Sequence, residues 1–240
     1  LTFSGAIGGT TGKSLDGFDV NHSAGTAAIS MPIIGAANAA FAGTSGVTRI
    51  GNADTTSITL SGNMYTFGGG ATTLTTAGDI TISAVGNGTN GIIRTDDNLT
   101  LNAGADGSGA LKVSGDFRIL TTTDNDIVDI QSGITGVHNA SVESILIDLD
   151  TTSNGGGTIK IAGDIAGADA DGAFKTLTLK GTDGVHLGGT ITMAHNDTGN
   201  NIDIDGPVTL TANTTLDTTA NNGTIDFSST INSEGSETNA

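Results

Sequence analysis

Cysteine and tryptophan are absent from the 240-residue sequence, and only two prolines and one tyrosine occur. Without cysteine, disulfides cannot contribute to stability. Aromatic residues make up 3% of the chain, so large rings cannot supply the bulk that they usually give to a core of this size. Ile, Leu, Val and Ala must fill the interior instead, which suits a narrow core built from stacked, similar layers.

Positive charge is also scarce, with 8 Lys and Arg against 25 Asp and Glu and a formal net charge of −17. Phosphate binding needs clustered Lys and Arg, so we expect no nucleic-acid partner and no attraction to anionic membranes. No stretch has the length and apolarity of a membrane span, so we expect no membrane insertion. The first residue is Leu1 and no signal peptide is present, which we interpret as a mature or excised fragment.

What the sequence has in abundance is glycine, 38 residues, and short runs of the form apolar, polar, apolar. Strict alternation places the two apolar residues on one face of a strand and the middle residue on the other. The middle residue varies among Thr, Lys, Arg and Asp, as expected of a position that faces solvent. Such runs occur at residues 58–60, 80–82, 99–101, 111–113, 117–119, 159–161, 177–179, 191–193, 202–204, 208–210 and 225–227.

Gly, Asn and Asp turns separate these runs, and no stretch with a period of 3.6 residues lies between them. The pattern therefore predicts an all-β protein. A sandwich or a barrel is possible, but each strand has only two or three inward residues, nearly all Ile, Leu or Val, which stack on their like. We predict a parallel β-helix (β-solenoid). Turns of about 20–28 residues would give roughly 8–12 rungs spaced about 4.8 Å apart.

We expect residues 1–240 to form a single solenoid segment. The alternation is weakest at residues 14–50, which include Pro32, and at residues 131–143. We interpret both stretches as irregular excursions from the rod rather than as separate domains.

The two ends of the chain share a pattern, F-S-x-x-I, at residues 3–7 and 227–231. Both ends therefore resemble middle rungs, without a polar capping element. An uncapped solenoid exposes strand edges and a cross-section of its core. We expect the rod to continue at both ends, through further repeats or through stacked copies of the chain.

Residues 72–120 carry the phrases G-D-I-T-I at 78–82 and N-L-T-L-N-A-G at 98–104, with a looser version at 206–212. These phrases resemble the repeat region of filamentous-haemagglutinin-type proteins and other very large repetitive surface proteins of Gram-negative bacteria. The resemblance covers about two thirds of the chain. It implies a secreted, right-handed β-helix that serves as a rod for adhesion, matrix or surface coating, with surface glycans or matrix as possible partners. It assigns no functional residue.

Two glycine-rich segments resemble nucleotide-binding motifs but are better explained as turns. Residues 86–91 match G-x-G-x-x-G, but a dinucleotide site needs a helix after the glycines and Ile92-Ile93 begin a strand. Residues 9–14 resemble a P-loop, but the position six residues before Lys13 is Ile7 rather than glycine. We interpret both as turns.

Several pairs of aspartates are candidate calcium ligands. Calcium requires six to eight oxygen ligands, which acidic turns can contribute together with backbone carbonyls. The pair Asp124 and Asp126 lies in a loop, and the chain lacks the G-G-x-G-x-D calcium repeat. A solvated acidic surface competes with the calcium interpretation. The candidate ligands are Asp148, Asp150, Asp169, Asp171, Asp203 and Asp205.

Enzymatic activity is not expected. Paired carboxylates could hydrolyse glycosides, and a carbohydrate-binding or polysaccharide-cleaving β-helix remains the alternative function. The three arginines, Arg49, Arg94 and Arg118, are spread along the chain and give no basic cleft.

The histidines and the threonine pairs are weaker signals. His22, His138, His186 and His195 lack metal-ligand spacing. Pairs of the form T-x-T could form an ice-binding face, but their irregular spacing favours simple β-propensity. The pairs are Thr176/Thr178, Thr190/Thr192 and Thr209/Thr211. The leading prediction is a structural protein of the cell surface or extracellular space that needs no cofactor.

Overall fold

The structure is a computed structural model. It describes residues 1–9, 14–21, 23–35, 43–83, 91–121, 123–137, 143–148, 156–168, 173–196, 198–220 and 222–233. These residues contain 24 strands and no helix, and every pairing between the strands is parallel. The predicted β-solenoid is therefore confirmed. The chain visits the eight-, seven- and nine-stranded sheets in turn, and one such circuit is called a rung below.

Strands are numbered in chain order. The nine-stranded sheet contains β1 (Phe18–Val20), β3 (Thr48–Ile50), β6 (Thr72–Thr76), β9 (Leu99–Ala103), β12 (Asp126–Ile130), β15 (Gly157–Ile161), β18 (Gly184–Leu187), β21 (Val208–Leu210) and β24 (Ile231–Ser233). The eight-stranded sheet contains β2 (Ala28–Met31), β4 (Ser57–Leu60), β7 (Ile80–Ser83), β10 (Leu111–Ser114), β13 (Ile134–Gly136), β16 (Ile165–Gly167), β19 (Ile191–Thr192) and β22 (Leu216–Asp217). The seven-stranded sheet contains β5 (Met64–Phe67), β8 (Gly91–Thr95), β11 (Phe117–Thr121), β14 (Glu143–Asp148), β17 (Phe174–Lys180), β20 (Asn201–Asp205) and β23 (Ile225–Phe227).

The solenoid has about seven complete rungs, and each of them contains one strand from each of the three sheets. Isolated bridges from Ile34 and Thr44 to β5, and from Ile7 and Leu15 to those two residues, extend the seven-stranded sheet over two further rungs. About seven complete turns is fewer than the 8–12 rungs expected from the sequence, although the largest sheet has nine strands. Turns are longer than expected in places: Leu60 pairs with Ile82, whereas Ile145 pairs with Leu177.

Both stretches interpreted as irregular excursions contribute to the sheets. Strands β1, β2 and β3 lie within residues 14–50, and β13 lies within residues 131–143. They have only three or four residues each, too few to show a repeated alternation. Residues 36–42 and 138–142 lie outside the described part of the chain.

The core consists of columns of like residues that stack from rung to rung. One column of the eight-stranded sheet runs from Ile29 to Ile191 and is fully buried. The inward pairs that the alternation predicts are buried in six strands: Ile80/Ile82, Leu99/Leu101, Leu111/Val113, Ile159/Ile161, Leu177/Leu179 and Ile202/Ile204. The seventh expected pair is wrong, because β23 lies on the last rung: Ile225 is 39% exposed and Phe227 is only half-buried.

Most middle residues of these strands are half-buried rather than exposed. Strands of one sheet lie about 4.8 Å apart, so outward side chains on the rungs before and after shield each other. Asp203 and Asp226 are exposed as expected, whereas Thr81, Thr100, Lys112, Lys160 and Thr178 are half-buried.

Glycine is required where consecutive rungs approach closely. Gly206 has a φ of 132°, and a Cβ atom there would lie 2.0 Å from the carbonyl oxygen of Gly181 on the preceding rung. The single tyrosine, Tyr65, is fully buried. Its hydroxyl donates to the Met31 carbonyl (3.0 Å) and accepts from the Gly62 N–H (2.7 Å), and burial raises its pKa.

Candidate interaction surfaces

The corners, where one strand gives way to the next, contain a repeated hydrogen bond between rungs. An Asp or Asn at the start of a strand accepts from the backbone N–H of the residue in register on the following rung. The acceptor and donor pairs are Asp79 and Ala110 (3.0 Å), Asn98 and Ile127 (2.7 Å), Asp116 and Ser144 (3.1 Å), Asp164 and Thr190 (2.7 Å), and Asn201 and Thr224 (3.1 Å).

Two of these side chains belong to the phrases on which the family resemblance rests. Asp79 lies in G-D-I-T-I, and Asn98 begins N-L-T-L-N-A-G. Asp79 also forms an ion pair with Lys112 on the next rung, with 2.6 Å between Oδ2 and Nζ. The phrases therefore have a structural explanation. Sequence reasoning missed it, although an Asp or Asn directly before an alternating run was the visible signal.

The predicted calcium ligands are brought together only in part. Asp203 and Asp205 lie in β20 and are exposed, and Asp205 accepts from the Ser228 hydroxyl (2.5 Å). Asp148 ends β14, in register with Lys180. Asp150, Asp169 and Asp171 lie outside the described residues. Within the described part of the chain, no three His, Cys, Asp or Glu side chains are grouped to hold a metal.

Another acidic group lies at the corner between β11 and β12. Asp126 is 6% exposed, and its Oδ2 lies 2.6 Å from the Thr123 hydroxyl, which also lies 2.6 Å from the Asp96 carbonyl oxygen. Burial raises the pKa of Asp126, and the negative charges of Asp97 and Asp96 raise it further. The charged form of this carboxylate is therefore disfavoured.

The remaining candidates are dispersed. His186 lies in β18, in register with Lys160 and Thr209, while His22 and His138 lie outside the described residues. The carbonyl of His195 accepts from the Asn200 side chain (3.0 Å). Ile92 and Ile93 lie in β8, so a strand and not a helix follows the G-x-G-x-x-G motif, whose residues 86–90 are not described. Residues 10–13 of the P-loop-like segment are likewise not described.

The threonine pairs do not share a face. Thr176 and Thr178 lie in the seven-stranded sheet, Thr192 lies in the eight-stranded sheet, and Thr209 lies in the nine-stranded sheet. An ice-binding face needs the pairs stacked on one flat sheet. These three pairs cannot form one.

A shallow depression of about 360 Å³ lies on the nine-stranded sheet, with Asp129, Lys160, His186 and Thr211 in its lining. Sugar-binding surfaces commonly stack rings on the sugar. Each aromatic side chain in the described part of the chain is buried or half-buried, so this depression offers no exposed ring.

The end rungs expose apolar side chains. Leu1 is 59% exposed at one end, while Ile231 is 49% and Ile225 39% exposed at the other. Phe3 and Phe18 form an edge-to-face pair with ring centroids 6.2 Å apart and are only partly buried. Phe227 and Leu216 are partly buried at the opposite end. Each end therefore presents a cross-section of the core.

No protein family, curated protein or solved structure matches this chain. The described residues include no helix long and apolar enough to cross a membrane.

Proposed function

We propose that this chain is a structural segment of a longer β-solenoid rod in the extracellular space or on a bacterial cell surface. Its end rungs join further rungs, which belong either to adjacent repeats or to other copies of the chain. The likeness of its repeat phrases to filamentous-haemagglutinin-type proteins supports this location and role. In this proposal the chain is a spacer or stalk and performs no catalysis.

The apolar end rungs are the observation that carries the proposal. Covering a few hundred Å² of apolar surface at each junction contributes several kcal/mol, at about 25 cal/mol per Å². Among the described residues, no further strand pairs beyond β22, β23 or β24, and a strand added there gives a junction its direction and register. A rod unit benefits from both features.

The sheets define how a junction would be built. Thr2 bridges to Ser30 in β2, so residues 1–3 continue the eight-stranded sheet. In a stack that continues every sheet, Leu1 and Phe3 follow β22 (Leu216–Asp217) of the preceding unit. From the sequence we expect residues 1–3 to lie beside residues 223–228 instead, but β23 belongs to the seven-stranded sheet. The two F-S-x-x-I patterns therefore occupy different corners.

Sedimentation of the 240-residue chain over a range of concentrations at about 150 mM salt, with electron microscopy of the same samples, tests the proposal. We expect rods that lengthen in steps of roughly 40 Å, the height of nine rungs about 4.8 Å apart. The double variant Ile225→Asp/Ile231→Asp should abolish the lengthening, because it places charge on the end rung.

Val47→Asp is the matched control, because Val47 is 41% exposed but precedes β3 on the second rung and belongs to neither end rung. It should leave the lengthening intact. A wild-type chain that stays a single short rod at every concentration would contradict end-to-end joining, as would equal effects of the end-rung and control variants.

A further inference from the structure

The outer face of the seven-stranded sheet differs from the other two. On the nine-stranded sheet, one outward column reads Thr73, Thr100, Asp129, Lys160, His186 and Thr209. On the seven-stranded sheet, several of the outward positions are occupied by aliphatic side chains instead. These are Met64, Ile92, Leu120 and Leu146, all of them half-buried. A shallow depression of about 260 Å³ lies among Arg118, Leu146 and Thr178. Outward aliphatic residues at this density are typical of a contact surface.

Charge on this face is arranged along the rod axis. Arg94 in β8 and Arg118 in β11 are exposed near one end, and Asp203 and Asp205 in β20 with Asp226 in β23 are exposed near the other. Strand β17 adds Lys175 and Lys180 between them. The sheet thus holds four of the chain's eight Lys and Arg residues, although the whole chain has a net charge of −17.

We propose that two copies of this chain pair side by side and antiparallel through the outer face of the seven-stranded sheet. The two-fold axis lies in the plane between the two sheets, perpendicular to the rods and parallel to the strands. It passes between β14 and β17 and so places β11 of one copy opposite β20 of the other. Each outward column then faces the same column of the second copy, running in the opposite direction. An isologous contact of this kind uses one self-complementary surface twice.

Arg118 and Asp203 carry the pairing. Both belong to one outward column, because Arg118 is in register with Leu146, Leu146 with Thr178, and Thr178 with Asp203. The axis therefore brings Arg118 of each copy opposite Asp203 of the other. Packed sheets lie about 10 Å apart, a gap that an Arg and an Asp side chain can span together.

The other rungs add one further pair of opposite charges and one apolar contact. Strand β8 lies opposite β23, which brings Arg94 close to Asp226 on the diagonal. Strand β14 lies opposite β17, so the aliphatic Leu146 covers Thr178. The same registers place Ile92 opposite Asp226 and Leu120 opposite Asp205, so the charge complementarity lies in the pair Arg118 and Asp203 and in the diagonal pair Arg94 and Asp226.

A parallel arrangement lacks this complementarity. Its two-fold axis runs along the rod and places β20 against β20, so Asp203 of one copy faces Asp205 of the other. Like charges in direct opposition disfavour a contact. The charge order along the sheet therefore selects the antiparallel dimer.

The contact is small. Six rungs about 4.8 Å apart and strands about 15 Å long cover roughly 400 Å² on each copy, which belongs to the class of weak, reversible interfaces. Lateral pairing is thus a property distinct from end-to-end joining, and it would join two neighbouring rods.

Sedimentation equilibrium isolates lateral pairing from end-to-end joining when the background chain carries Leu216→Asp and Ile231→Asp, because these place charge on the last rung of the eight- and nine-stranded sheets and leave the seven-stranded sheet unchanged. Arg118→Asp and Asp203→Arg should each raise the dimer dissociation constant at least about tenfold, because each places like charges opposite one another twice. The swap Arg118→Asp/Asp203→Arg should restore it to within about threefold. Arg49→Asp, an identical change on the nine-stranded sheet, is the control and should have little effect.

The absence of cysteine allows a distance measurement on the same dimer. A nitroxide on Thr178→Cys lies beside the two-fold axis, so the two labels should be about 10–20 Å apart. A nitroxide on Thr209→Cys, on the nine-stranded sheet, should give a clearly longer distance. A swap that is as weak as the single variants overturns the proposal, as does a background chain that stays monomeric near 1 mM. A dimer without the short Thr178 distance overturns it as well.

Discussion

Among the described carboxylates, Asp126 is the one whose pKa is raised by its surroundings. It is 6% exposed, it accepts one hydrogen bond from the Thr123 hydroxyl, and it lies near Asp96 and Asp97. Burial and neighbouring negative charge both favour its neutral form, which raises its pKa above that of an unfolded chain. Folding is therefore linked to a proton at this corner.

The sign of this linkage gives a prediction for pH. Because the folded-state pKa of Asp126 is raised, its stabilising contribution is complete below the unfolded pKa and is lost as pH rises through the folded value. We expect Asp126→Asn to increase the free energy of unfolding at pH 7, with the gain shrinking as pH falls towards 4. Denaturant unfolding at several pH values measures it.

Asp124→Asn is the control for this experiment, since Asp124 is exposed at the same corner. It should change stability little at either pH. A loss of stability in Asp126→Asn at pH 7 would show that the Thr123 bond to the carboxylate outweighs its burial.

Between elements, the Asp and Asn side chains at the corners connect each rung to the next. Strand pairing already joins the rungs within each sheet, but at the corners the backbone turns and some N–H groups lose their ladder partners. Asp79 supplies such a partner to Ala110, and its ion pair with Lys112 is half-exposed. The hydrogen bond, not the ion pair, should carry most of the stabilisation, because exposed ion pairs contribute little.

Comparing two substitutions separates the contributions of Asp79. Asp79→Asn keeps an acceptor for the Ala110 N–H but removes the charge, so we expect it to cost less than about 1 kcal/mol. Asp79→Ala leaves the N–H without its partner and should cost about 1–3 kcal/mol. Denaturant midpoints at constant m-value measure both. Equal costs would indicate that the charge, rather than the hydrogen bond, stabilises the corner.

At the scale of the whole molecule, the charge of −17 acts against both compactness and association. The charges lie along a narrow rod, and few cations offset them. Salt shortens the distance over which exposed charges repel, from about 30 Å at 0.01 M to about 8 Å at 0.15 M. Long-range repulsion should therefore dominate at low ionic strength and fade near physiological salt.

Raising sodium chloride from about 0.02 M to about 0.3 M should increase the melting temperature by about 2–4 °C, equivalent to roughly 1 kcal/mol for a chain of this size. Calcium at matched ionic strength tests the separate prediction of a site at Asp148, Asp150, Asp169, Asp171, Asp203 and Asp205. A specific site should add a further rise that magnesium does not reproduce. A melting temperature that does not change in either titration would contradict both the charge repulsion and the calcium site.

The alternating runs were enough to predict an all-β chain, because period-two patterning decides which side chains can be buried together, and the two or three similar inward residues of each run favoured the solenoid. Leu111 and Val113 show this: their apolar character and the polar Lys112 between them fix an inward and an outward face for β10. Short strands such as β1 and β13 were missed, since three residues show too little alternation to stand out.

Only the tertiary structure decided which runs share a sheet and which residues lie on an end rung. Ile225 and Phe227 have the same local pattern as Ile202 and Ile204, yet they are less buried because no described strand pairs beyond β23. The column that joins Arg118 to Asp203 is likewise invisible in sequence, because variable turn lengths set the register between distant strands. Local patterning determines which side chains of a strand are buried, whereas the stacking of the rungs determines which residues of other strands lie beside them.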